Sequence, residues 1–174
     1  MNKLLKSIVL LTLLSVVMPA FSVQQPDDFA KSGISVGVVV ENLQKSLDFY
    51  QNVIGMVKTG EFSVEGTRAK ELGLSNGDRF DVIVLKLENS EQAAEWKLMS
   101  FGKKATHPKQ TYVPDDTGMQ YVTIYLKSMK PVLERIKKYN VKTLGITPTK
   151  LDESRDFVLV QDPDGNFIEL IGPK

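Results

Sequence analysis

The sequence predicts an α+β fold made of two tandem βαβββ modules whose sheets curl into a cup. Three observations predict it. A strand–helix–strand pattern is written twice, with similar caps and the same tripeptide after each helix. Each copy closes in a β-hairpin. Neither copy has enough helix to cover both faces of its own sheet.

Taken in order, residues 1–22 form a signal peptide. Lys3 and Lys6 supply a positive start, Ile8 to Val17 is apolar apart from Thr12 and Ser15, Pro19 breaks the run, and Ala20-Phe21-Ser22 suits cleavage after Ser22. An uncleaved membrane anchor is the alternative, but the run is short of the ~18–20 apolar residues that span a bilayer. The expected location is periplasmic or secreted, with no stable membrane insertion after cleavage. Residues 23–32 are a polar, flexible leader, and residues 33–173 form one domain.

Module 1 covers about residues 33–102. Its β-branched run from Ile34 to Val40 reads as a buried strand. Asn42 caps a helix whose apolar stripe is Leu43, Leu47, Tyr50, Val53 and Ile54, Gly55 ends it, and Val57-Lys58-Thr59 opens the next strand. Phe80 to Leu87 then pairs with Trp96 to Phe101. Residues 64–78, with Arg68, Lys70 and Glu71, are assigned to neither strand nor helix.

A connector, 103–118, leads to module 2 at 119–173. Tyr121 to Leu126 is its first strand, and Ser128 is the expected N-cap of the second helix. Pro131 sits in the first turn, where its missing N–H costs little. Met129, Val132, Leu133, Ile136 and Tyr139 form the stripe, Asn140 takes the left-handed cap, and Val141-Lys142-Thr143 repeats the earlier tripeptide. Phe157 to Gln161 pairs with Phe167 to Ile171 across Asp162-Pro163-Asp164-Gly165, a sequence suited to a tight turn.

Composition removes several chemistries. The chain has no cysteine, hence no disulfide, thiolate nucleophile or Cys-based metal centre, and a single histidine, His107, in the connector. A lone loop histidine reads as solvated. A net charge of +1 gives no electrostatic case for nucleic acid.

Val38 to Leu43, Ser46-Leu47-Asp48-Phe49-Tyr50 and Ile54-Gly55-Met56, together with Asp162-Pro163-Asp164-Gly165-Asn166 and Ile168-Glu169-Leu170, resemble the opening and closing motifs of the vicinal oxygen chelate superfamily, the fold of glyoxalases, bleomycin-resistance proteins and extradiol dioxygenases. The resemblance spans Gly33 to Pro173. It implies a cup with a small-molecule site and, in many members, a divalent metal held by four strands. Carried over one at a time, those ligand positions fall on Ser35, Lys97, Tyr121 and Glu169. Only Glu169 matches. A one-residue slip would put Gln120 inward in place of Tyr121.

The resulting expectation is an exported, metal-free small-molecule-binding protein with no cofactor. Its cup would be lined by Ser35, Lys97, Met99, Phe101, Tyr121, Thr123, Tyr125 and Glu169, with a Lys97–Glu169 ion pair at the base. Glu169 is the candidate general base if there is catalysis. The alternatives are a lyase, isomerase or dioxygenase of the glyoxalase type using Zn, Ni, Fe or Mn, and a non-catalytic interaction module. Exchange of modules between chains, an option in this fold, makes a homodimer the assembly to test.

Overall fold

In the computed structural model, residues 30–103 and 108–174 are described, and Lys31–Lys174 form one compact unit. The expected signal peptide, most of the leader and His107 lie outside the described residues.

Module 1 runs β1 (Ser35–Val39), α1 (Leu43–Asp48), a π-helical turn (Phe49–Ile54), β2 (Val57–Val64), α2 (Gly66–Glu71), β3 (Phe80–Lys86) and β4 (Glu95–Ser100). A short 3₁₀ turn, Val113–Asp115, lies in the connector. Module 2 runs β5 (Tyr121–Tyr125), α3 (Lys130–Lys138), β6 (Thr149–Lys150), β7 (Asp156–Gln161) and β8 (Phe167–Gly172). The sheets share one plan, β1-β4-β3-β2 and β5-β8-β7-β6, with β1·β4 and β5·β8 parallel and the other pairs antiparallel. The repeat legible in the sequence is therefore a repeat of topology.

Local chemistry explains the first helix. The Asn42 side chain accepts from Lys45 N at 3.0 Å. At the far end Gly55 adopts φ 96°, and its N–H bonds Tyr50 O, five residues back. This widened turn lets the neighbours Phe49 and Tyr50 both bury, together with Val53 and Ile54. In α2, Gly66 is required because a Cβ there would clash with the Gly77 carbonyl oxygen.

Three expectations need correction in module 2. Met129, not Ser128, precedes α3, and it makes no side-chain cap. Met129 is fully buried and its N–H donates to Pro173 O at 2.6 Å, so packing sets the helix start. Tyr139 is exposed, because the chain turns away at Asn140, φ 52°. The Val141-Lys142-Thr143 strand shrinks to a single bridge, Thr143 to Val160, and the edge is completed by the two residues of β6. In module 1, the unassigned segment forms α2, anchored by fully buried Ala69.

Both sheets bury one face in a common core. Ile83, Leu85, Trp96 and Leu98 come from the first sheet and Val158, Val160, Ile168 and Leu170 from the second, with Tyr50, Val53, Val132 and Ile136 between them. A buried polar clasp ties the modules. The Tyr50 hydroxyl donates to Asp162 Oδ2 at 2.7 Å, and the Asp162 carboxylate also accepts from Asp164 N, Asn166 N and Asn166 Nδ2. Asp164 accepts from Glu41 N and Ser46 Oγ, both at 2.9 Å. Arg135 donates to Val53 O and Ile54 O at the end of the π turn. Burial, then the adjacent Asp162 charge, raises the Tyr50 pKa well above its ordinary value, so the phenol stays a donor.

Replacing Tyr50 with Phe leaves a buried carboxylate one donor short, and should cost about 1–3 kcal/mol in urea unfolding. A loss under about 0.5 kcal/mol would show that the clasp contributes little.

Candidate ligand site

Strand alternation decides which side chains face away from the core. On β4, Trp96 and Leu98 point into it, leaving Glu95, Lys97 and Met99 on the opposite face. On β1 the same face carries Ser35, Gly37 and Val39, in register with those three residues. Ser35 Oγ donates to Glu95 Oε2 at 2.6 Å, and Lys97 Nζ lies 3.2 Å from the same oxygen. Lys31 Nζ and Lys86 Nζ stand 3.7 and 3.8 Å from Glu95 Oε1.

This corrects the expected base of the cup. Lys97 pairs with Glu95, two residues earlier on its own strand, and no ion pair or hydrogen bond joins it to Glu169. Residues i and i+2 of a strand share a face within side-chain reach, whereas Glu169 belongs to the other sheet and accepts from Thr123 Oγ1 at 2.7 Å. Glu95 was legible by the period-two rule applied backwards from Lys97. The Ser35 hydroxyl, then Lys97, holds the Glu95 carboxyl down at about 2.

The second sheet repeats the layout with different chemistry. Thr123 lies opposite Glu169, Tyr121 opposite Phe167 and Tyr125 opposite Ile171. Leu159 flanks Glu169 on the other side. Tyr121, and not Gln120, therefore shares the face of Thr123 and Glu169, and Gln120 accepts from Gln110 Nε2. Tyr121 and Tyr125 are exposed, so both phenols present themselves to solvent.

Met99 and Phe101 take a different place from the expected open wall. They pack with Ala69, Phe80 and Val82 in a second, smaller core under α2, the Phe80 and Phe101 rings 4.9 Å apart. A cavity of about 460 Å³ lies between β1 and β5, bordered by Val36, Val38, Trp96, Tyr121, Asp164 and Phe167 among others. Of the expected site residues, Tyr121 alone borders it. Among the described residues the buried Trp96 indole N–H has no hydrogen-bond partner.

Of the four positions expected as ligands, Ser35 and Lys97 both contact Glu95, whereas Glu169 accepts from Thr123 and Tyr121 stands one step along the same strand face. As a cation shell the set fits badly. A neutral hydroxyl and a phenol are weak donors to a divalent ion, and an ammonium repels it. Among the described residues no group of three His, Cys, Asp or Glu side chains stands close enough to hold a metal.

Two modules of one topology packed on a common core, each with its first strand parallel to its last, define the fold. Residues 34–170 match the model of the Glyoxalase/Bleomycin resistance protein/Dioxygenase superfamily, and the chain belongs to that family. It is 25% identical over 135 residues to a lactoylglutathione lyase of Neisseria meningitidis, covering 78% of this chain and 86% of that protein. The fold is similar to that of a glyoxalase family protein from Bacillus cereus (TM-score 0.69, 16% identity, 86% of this chain and 97% of that one). It is also similar to the trypanothione-dependent glyoxalase I of Leishmania major (TM-score 0.54, 19% identity, 82% and 87%).

The low Glu95 pKa gives a signed test. The folded value lies below the unfolded one, so its stabilisation is complete above about pH 5 and disappears as pH falls towards 2. Glu95→Gln should therefore cost about 1 kcal/mol at pH 7 and progressively less under acid, read by urea midpoints at several pH values. A pH-independent difference would mean that the ionised carboxylate is not the stabilising species.

Proposed function

We propose that the protein is an exported, metal-free small-molecule-binding member of its family. The observation that carries this reading is the Lys97 ammonium, held 3.2 Å from Glu95 where relatives that bind metal would need a donor. An ammonium already sits in the first half-site, and the serine beside it is spent on the same carboxylate. In the second half-site Glu169 stands among Thr123, Leu159 and two solvent-facing tyrosines, a surface suited to stacking an apolar or aromatic ligand and accepting one hydrogen bond from it. Export is supported by Lys3, Lys6, the Ile8–Val17 run and the Ala20-Phe21-Ser22 step.

The second reading, a metal-dependent lyase of the glyoxalase type, is favoured by the retained Glu169 and by the likeness to lactoylglutathione lyases. Elemental analysis of protein purified without chelator, and melting curves with Zn²⁺, Ni²⁺, Fe²⁺ and Mn²⁺, separate the two. The binding reading expects well under 0.1 metal per chain, no melting shift above about 1 °C, and no formation of lactoylglutathione. One metal per chain, with lyase activity lost in Glu169→Gln, establishes the enzyme.

The assembly we propose is a homodimer. Among the described residues β1 and β5 are each paired on one side only, and pairing the β1 of one copy with the β5 of another would satisfy both edges. Light scattering should give twice the chain mass, and proline substitution at Gly37 should shift it to the monomer. A monomeric native protein would overturn the pairing.

A further inference from the structure

We propose that the outward face of the first sheet is an anion site for a small molecule with a carboxylate or sulfonate head and a compact apolar body. This deepens the binding reading above and rests on it. Lys31, Lys86 and Lys97 converge on a single carboxylate, Glu95, at 3.7, 3.8 and 3.2 Å, which leaves two positive charges in excess. Among the described residues no other carboxylate lies within 4.0 Å of any of the three. Lys86 is the most withdrawn, its side chain only 12% exposed, and its remaining contact is the neutral Ser90 carbonyl at 2.9 Å. A partly desolvated ammonium sharing one carboxylate with two others is under-compensated, and an incoming anion corrects that.

The register supplies the rest of the ligand's outline. Lys97 is flanked by Gly37 on β1 and Val84 on β3, and the next row is Val39, Met99 and Val82. In that row Val39 is exposed and gives the face an apolar neighbour to the charge, whereas Met99 and Val82 are covered by α2 and the Met99 sulfur lies against position 37. Glu95 acts here as an internal counter-ion that holds the lysines in place and competes with the ligand for them.

That competition gives a sign no general stickiness would produce. Octanoate, octylamine and octanamide are titrated calorimetrically into the full mature chain at low salt. Octanoate should bind, octanamide should be at least tenfold weaker, and octylamine should give no signal. Lys97→Gln and Lys86→Gln should each weaken octanoate about tenfold, while Glu95→Gln, checked as folded by circular dichroism, should tighten it three- to tenfold. Equal affinity for the amine or amide, unchanged binding in both lysine variants, or weaker binding in folded Glu95→Gln overturns the proposal. The test is separable from the metal question: stoichiometric metal with this octanoate pattern intact sinks the metal-free reading alone, and a metal-free protein lacking the pattern sinks the anion site alone.

Discussion

One buried hydrogen bond constrains the whole arrangement. The Tyr50 hydroxyl, on the helical turn of the first module, has Asp162 as its acceptor, on the hairpin turn of the second, and both are removed from solvent. The hairpin's own donors leave the Asp162 carboxylate one partner short, and Tyr50 supplies it, which favours the orientation in which the second hairpin presents its turn to the first helix. Arg135, bonded to the carbonyls of Val53 and Ile54, fixes the reverse contact. With the helices so placed, both sheets must turn their Trp96/Leu98 and Ile168/Leu170 rows inward. The Glu95/Lys97 and Glu169 rows then have to face the other way.

Much of this was legible because strands and caps announce themselves locally. The Asn42 cap, the Gly55 stop, the Asn140 left-handed turn and the Asp162–Gly165 hairpin depend on neighbouring residues alone. What was not legible depended on distant packing. Ser128 lost the start of α3 to Met129, whose apolar side chain the core claims. The helix at 66–71 has one buried residue, too few to leave a periodic stripe. The π turn at Phe49–Ile54 follows from burying adjacent aromatic residues, which no 3.6-residue pattern anticipates.

The site shows the same division. Strand parity placed Thr123, Tyr121 and Tyr125 with Glu169, and Ser35 with Lys97, because a period of two needs no tertiary information. Lys97 takes the nearer carboxylate, two residues away on its own strand, rather than one in the other module. Met99 and Phe101 satisfied the parity rule too, yet α2 covers them. Alternation tells which face a residue takes, and says nothing of what lies above that face.

Of the four positions that the resemblance marks as ligands, three carry another residue: Ser35 and Lys97 both contact Glu95 and Tyr121 is exposed, while Glu169 alone is retained. Binding isotherms of Ni²⁺ and Zn²⁺ on the native chain and on a Ser35→His/Lys97→Glu/Tyr121→His variant test that substitution most directly. The native protein should bind neither ion below millimolar concentration, and the variant should gain at least 100-fold. Micromolar, one-to-one binding by the native chain, unimproved by restoring those donors, would contradict the account.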